Sequence, residues 1–144
     1  MAIPHVTALI LEERITLRQV SVILRQACAS DTSFDPLGWS IDMPWWGHCA
    51  AVSLIIQDYF DGTIMRQSLE HVPGFEKFRS HYSNRLPSSE DVDLTIGQLR
   101  NLLPTDTPKE ERTRQQMLHN LDMLRRYETL KGRFERKLAQ TLIW

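Results

Sequence analysis

Residues 43–60 read MPWWGHCAAVSLIIQDYF, an aromatic loop followed at once by an apolar run. The apolar residues 50–56 predict a buried helix that runs to about Phe60, where Asp61-Gly62 ends it. Cys49 therefore lies at the N-terminus of this helix. Unpaired N–H groups and the helix dipole at such a terminus favour the thiolate, the form of cysteine that attacks carbonyl carbons.

Two short segments downstream of this helix alternate with the period of β-strands. Residues 79–86 and 91–95 are joined by Pro87-Ser88-Ser89-Glu90, which predicts a hairpin. If the apolar residues of both strands cover one core, His81 and Asp93 must share the opposite face, because a slip of one residue would expose the core side chains. The predicted core-facing residues are Tyr82, Leu86, Val92 and Leu94.

Helices are predicted on both sides of this region. Thr16 and Gln19 form a capping box at the start of an N-terminal helix, whose apolar stripe includes Cys28 as a small buried side chain. Thr107 with Pro108 and Glu110 predicts the start of one long or two shorter C-terminal helices. Residues 63–66 predict a further short strand.

The size and order of these elements predict one α+β domain over residues 1–144. We expect a papain-like core, in which the cysteine-bearing helix packs on a small antiparallel sheet and is flanked by N- and C-terminal helices.

Composition argues against several classes of partner. The net charge of −1 provides no field that would attract nucleic acid or an anionic membrane. The two cysteines, Cys28 and Cys49, are too few for a secreted disulfide scaffold of this size. The apolar patch Val6–Leu11 is too short for a signal peptide or a membrane span. We therefore expect a cytoplasmic protein that binds neither nucleic acid nor membrane.

Cys49, His81 and Asp93 can supply the three groups that a cysteine hydrolase needs. Cys49 would be the nucleophile, His81 the base that holds or removes its proton, and Asp93 the carboxylate that orients the imidazole. This chain order is that of papain-like and transglutaminase-like cysteine enzymes. The Cys49 N–H would donate one hydrogen bond to an oxyanion. The loop residues that could add a second donor or line a substrate groove are Trp39, Ser40, Trp46 and His48.

Other interpretations of these residues remain open. Cys49 could be a buried structural thiol, and His81 and Asp93 a surface pair. A zinc site of Cys49, His48, His81 and Asp93 is disfavoured because adjacent residues rarely chelate one ion, so we predict neither metal nor cofactor. The C-terminal cations are interleaved with glutamates, which indicates a solvated helix face. These cations are Arg125, Arg126, Lys131, Arg133, Arg136 and Lys137.

Several separated motifs over residues 39–137 together resemble the YunG-like proteins, an uncharacterised bacterial family. The motifs are Trp39-Ser40, Pro44-x-x-Gly47-His48-Cys49-Ala50, Gln57-Asp58-Tyr59-Phe60-x-Gly62, Ser80-His81-Tyr82-x-Asn84-Arg85-Leu86-Pro87, Val92-Asp93-Leu94-Thr95 and Arg126-Tyr127-Glu128-x-Leu130-Lys131.

The resemblance implies that Cys49, His81 and Asp93 are motif residues. The family usually has Gln before the cysteine, whereas this chain has His48, and an imidazole is a less dependable oxyanion donor than an amide. We expect thiol-dependent acyl chemistry on an amide or thioester, as in a peptidase, amidase, deamidase or acyltransferase, with an unknown acyl or peptide substrate. The alternative is a non-catalytic binding or interaction protein on the same scaffold.

Overall fold

A computed structural model describes residues 15–99 and 107–141 of the chain. In those ranges it contains four α-helices and a four-stranded antiparallel sheet. The helices are α1 (Leu17–Ala27), α2 (Cys49–Phe60), α3 (Arg114–Leu118) and α4 (Leu121–Thr141), and the strands are β1 (Thr63–Ser68), β2 (Ser80–Arg85), β3 (Asp91–Val92) and β4 (Glu110–Arg112).

The sheet has the strand order β3-β2-β1-β4 and supports α2 on one face. Asn84 of β2 lies opposite Ile64 of β1 and Val92 of β3, so these three residues point to the same face. Asn84 Nδ2 donates a 2.9 Å hydrogen bond to the Ser53 carbonyl of α2. This buried contact ties β2 to α2, four residues after Cys49 on the helix and three residues after His81 on the strand.

Helix α2 is the centre of the main core. Ala51, Leu54, Ile55 and Ile56 have no exposed surface. The helix packs against β2 on one side and α4 on the other, and α1 packs against α4. The predicted capping box is confirmed at the start of α1, where the Thr16 hydroxyl accepts from the Gln19 backbone N–H. The predicted bounds of α2 are confirmed as well.

The predicted start of the C-terminal helix at Thr107 is wrong. Glu110–Arg112 forms β4, which pairs with β1 through Ile64 and Arg112. The cap is Thr113, whose hydroxyl accepts from the Gln116 backbone N–H in the same Thr-x-x-Gln pattern. A Thr-Pro start signal can be overridden in this way when an unpaired strand edge is available.

Helix α4 differs from its predicted solvated character at two cations. Arg126 and Lys131 are 2% and 5% exposed. Both are paired, Arg126 with Asp122 on its own helix and Lys131 with Asp58 of α2. The ammonium of Lys131 thus links α4 to α2, whereas the guanidinium of Arg126 is paired within α4. No helix in the described ranges has the length and apolar character needed to cross a bilayer.

Candidate active site

Cys49 is the first residue of α2, and no side chain caps that end of the helix. The residue is 9% exposed, and its Sγ lies 4.0 Å from the Ser80 carbonyl of β2. An uncapped helix N-terminus presents N–H groups and a partial positive charge. The thiol therefore sits where an anion, either a thiolate or an oxyanion on a substrate, is stabilised.

His81 and Asp93 are brought together as neighbours on the sheet. His81 belongs to β2, and Asp93 follows β3, which pairs antiparallel with β2. His81 Nε2 and Asp93 Oδ2 are 2.7 Å apart, and the His81 side chain has no exposed surface. A carboxylate on Nε2 requires that this nitrogen carry the proton, so Nδ1 is the atom left to exchange protons. Nδ1 has no hydrogen-bond partner.

The electrostatic surroundings of His81 favour the imidazolium. Burial alone lowers the pKa of His81, but the hydrogen bond to Asp93 and the interaction with the Cys49 side chain raise the pKa to about 10. Raising the pKa of a buried histidine requires that nearby negative charge outweigh desolvation. Near neutral pH the buried His81 side chain is therefore a cation.

An open groove of about 340 Å³ lies beside Cys49. Its lining combines aromatic and cationic side chains, and Arg126 and Lys77 lie over the rings of Phe34 and Phe78. The aromatic and cationic residues are Phe34, Phe78, Tyr82, Lys77, Arg79 and Arg126. Cys49 and Ala50, the first two residues of α2, also line it. A substrate in this groove would meet the sulfur and the helix terminus together.

The loop residues predicted to face a substrate have other roles. Trp39 Nε1 donates to the Pro44 carbonyl at 3.0 Å. Trp46 Nε1 donates to Asp35 at 3.0 Å, and its ring packs edge-on against Phe78. Ser40 is exposed and forms an isolated bridge with Met43. The groove lining includes none of Trp39, Ser40 and Trp46, so the structure does not bring them to Cys49.

His48 is turned away from the groove. Its ring is fully buried, with Nδ1 2.8 Å from the Trp46 carbonyl and Nε2 2.7 Å from the Thr32 hydroxyl. Since a carbonyl can only accept, Nδ1 carries the proton, and Nε2 accepts from Thr32. Both nitrogens are occupied, which argues against the predicted role of His48 as an oxyanion donor. The His48 side chain instead joins Trp46, in the loop before α2, to Thr32, in the segment after α1.

Burial makes His48 a group that resists protonation. Desolvation lowers the pKa of His48 to about 4, although its contact with the Trp46 carbonyl opposes the shift. Between about pH 6.5 and pH 4, His48 binds a proton in the unfolded chain, where its pKa is ordinary, but stays neutral in the folded protein. The stabilisation from neutral His48 is therefore complete above about pH 6.5 and is lost as the pH falls towards 4.

We expect His48→Gln to remove this acid-sensitive contribution, because the glutamine amide can donate and accept in the same places and does not titrate. Urea unfolding at pH 4.5, 5.5 and 6.5 measures the free energy of unfolding of both proteins. The free energy of unfolding of the wild type should fall relative to the variant by about 2 kcal/mol over this range. His71→Gln, at an exposed position, is the control. Parallel wild-type and His48→Gln curves would show that folding does not lower the pKa of His48.

Cys28 is buried as predicted, its thiol donates to the Leu24 carbonyl, and burial raises the pKa of Cys28 far above its ordinary value. Within the described ranges, no three His, Cys, Asp or Glu side chains are grouped to hold a metal ion. His48 points into the loop, so the four residues considered for zinc do not converge.

Arg126 lines the groove, although the sequence predicted a solvated position for it. Interleaved charge along α4 suggested a solvated face, yet Arg126 is buried and lines the groove. A signal was present in the spacing, because Arg126 lies three residues after Met123 and four before Leu130, at the edge of the apolar stripe. Arginine at such an edge can bury its stem and present its guanidinium to a neighbouring cleft.

Comparison with known proteins identifies a family. No curated protein and no solved structure matches the chain. A family model described as YunG protein matches residues 16–139, from the cap of α1 almost to the end of α4. This span is wider than the one covered by the motifs and contains Cys49, His81, Asp93 and Arg126. The chain belongs to the YunG protein family.

Proposed function

We propose that this protein is a cysteine-dependent hydrolase or acyltransferase that acts on an amide or thioester. The observation that carries the proposal is the placement of the His81 imidazole, which is hydrogen-bonded to Asp93 through Nε2 and interacts with Cys49. A structural thiol needs no such partner, whereas a nucleophile needs an oriented base within reach. The open groove at Cys49 gives an acyl group access to the sulfur.

The first step would be acylation of Cys49. The thiolate attacks the acyl carbon and forms the S–C bond, while the carbonyl electron pair moves onto oxygen. The backbone N–H of Cys49 and the terminus of α2 stabilise the oxyanion. When the tetrahedral intermediate collapses, the bond to the leaving amine or thiol breaks, and His81 supplies that group with the proton from Nδ1.

The second step would return the enzyme to its starting state. A water molecule, or an acceptor amine or thiol, attacks the acyl carbon of the thioester while neutral His81 takes its proton at Nδ1. The S–C bond breaks and restores the thiolate-imidazolium pair. Asp93 holds the ring in the tautomer that exposes Nδ1 and stabilises the cation in both steps.

The architecture is consistent with a papain-like core. The nucleophile heads a buried helix that packs on an antiparallel sheet, and the base lies on the strand next to that helix. Asn84 strengthens this arrangement by joining β2 to the Ser53 carbonyl of α2. A reducing cytoplasm would keep the thiol of Cys49 available for such chemistry.

A burst experiment tests the proposal with p-nitrophenyl acetate as an activated acyl probe. We expect rapid release of about one nitrophenolate per protein, followed by slower turnover, with the acetyl group found on the Cys49 peptide by mass spectrometry. Cys49→Ser should lose the burst. Cys28→Ser should keep it, because Cys28 is buried outside the groove.

The same experiment can contradict the proposal. Labelling spread over lysines, with no preference for Cys49, would show that the thiol is not an activated nucleophile. The protein would then be better described as a non-catalytic binding protein that uses the same groove.

A further inference from the structure

The groove beside Cys49 has an unbalanced charge. Its lining includes Lys77, Arg79 and Arg126 and, among the residues that the structure describes, contains no aspartate or glutamate. Lys77 is already paired with Asp35 at 2.7 Å. The positive charge left for a ligand therefore comes mainly from the two guanidinium groups.

Arg126 is the most buried of these cations. Its Nε donates to Asp122 at 2.9 Å, and its guanidinium carbon lies 5.4 Å from the centre of the Phe34 ring. Its Nη1 is buried and has no hydrogen-bond partner within residues 15–99 and 107–141. A buried donor without a partner costs free energy, and a charged one costs more. Such a donor on the wall of a groove is suited to an acceptor that arrives with a ligand.

We infer that the groove binds an acyl substrate that carries a free carboxylate, which accepts hydrogen bonds from Arg126. The inference rests on the proposed function and names its substrate class. Phe34, Phe78 and Met123 would contact an apolar part of the same molecule next to the carboxylate. Guanidinium and carboxylate match in shape and charge, and their hydrogen bonds are about twice as strong as neutral ones.

A singly charged group fits this site better than a phosphate. Asp122 already offsets part of the charge of Arg126, and Asp35 offsets that of Lys77. Three cations and these two carboxylates leave a net charge of +1, which a carboxylate balances and a doubly charged anion exceeds. With a carboxylate at Arg126, Phe34 and Phe78 can contact the rest of the substrate.

Hippurate and hippuramide are matched probes for this inference. Both contain a benzoyl-glycine unit, but only hippurate ends in a carboxylate. In ¹H–¹⁵N NMR titrations of the full chain, we expect shifts at the amides of Gly47, Cys49 and Ala50, with at least about tenfold tighter binding of hippurate. Inorganic phosphate should not compete at equal concentration. This comparison uses the wild-type protein and does not depend on a folded variant.

Substitution assigns the effect to one residue. Arg126→Gln should remove the preference for hippurate. Arg125→Gln should keep it, because Arg125 has the same charge and also pairs with Asp122 but does not line the groove. Equal binding of the two probes, equal competition by phosphate, or a preference that survives in folded Arg126→Gln would each overturn the inference.

The outcomes separate this inference from the proposed function. An acetyl group on Cys49 together with equal binding of both probes would leave the acyl chemistry standing and remove the carboxylate site. An Arg126-dependent preference for hippurate without any acyl transfer to Cys49 would support the carboxylate site and overturn the catalytic proposal.

Discussion

His81→Ala is expected to slow the alkylation of Cys49 by iodoacetamide at pH 6 by on the order of 100-fold. An ordinary thiol with a pKa near 8.5 is only about 0.3% thiolate at this pH. In the wild type, the pKa of His81 is raised to about 10, so the imidazolium is present and can hold the sulfur as a thiolate. Without that cation, only the terminus of α2 favours the reactive form.

The pH dependence gives a sharper form of this prediction. The rate in the wild type should stay high as the pH falls from 8 to 6, whereas the rate in His81→Ala should fall about tenfold per pH unit. Peptide mapping by mass spectrometry separates Cys49 from Cys28, which should react slowly in the folded protein. His71→Ala, at an exposed position, is the matched control. Identical pH profiles for the wild type and a folded His81→Ala variant would remove His81 from the mechanism.

The pairing of His81 with Asp93 was accessible from the sequence because two constraints coincide. A strand that buries one face cannot slip by one residue without exposing its core side chains. Tyr82 packs against the main core and Val92 is buried, and the residues next to them, His81 and Asp93, meet at 2.7 Å. The start of α1 and both ends of α2 were also predictable, since each is set by residues within one turn, such as Thr16 with Gln19.

The features that were missed depend on distant partners. Glu110, Glu111 and Arg112 have no alternating apolar pattern, and they form β4 because β1 offers an edge more than forty residues earlier in the chain. His48 is adjacent to Cys49 in sequence, yet its ring bonds to Thr32, sixteen residues upstream. Local pattern cannot report which way such a side chain turns.

The burial of Lys131 also depends on a residue that is distant in sequence, Asp58. Asp58 of α2 accepts from Lys131 Nζ at 2.8 Å and from the Tyr127 hydroxyl at 2.5 Å, both on α4. Its other oxygen pairs with Arg114 of α3 at 2.9 Å. The side chains of Asp58 and Lys131 are 14% and 6% exposed. One carboxylate thus joins three helices, and its negative charge offsets the buried ammonium of Lys131.

We expect Asp58→Ala to lower the free energy of unfolding by about 3–5 kcal/mol, because it leaves the buried ammonium of Lys131 without its carboxylate. Arg114 keeps the Leu54 carbonyl and Gln57 Oε1 as acceptors. Urea denaturation at pH 7 measures the loss, with Asp42→Ala, at an exposed position, as the control of the same residue type. Lys131→Met should cost less, since Asp58 keeps Arg114 and Tyr127 while methionine fills the space of the lysine stem.

The double variant Asp58→Ala/Lys131→Met should recover part of the loss seen in Asp58→Ala, because the buried ammonium is then absent. Strictly additive losses would mean that the two side chains act independently. Asp58 lies nine residues after Cys49, about 13 Å along the helix axis. Under conditions where Asp58→Ala remains folded, Cys49 should therefore alkylate at the wild-type rate. A large fall in that rate would instead connect the helix network to the position of the thiol, since no charge at this end of α2 is close enough to act on the sulfur directly.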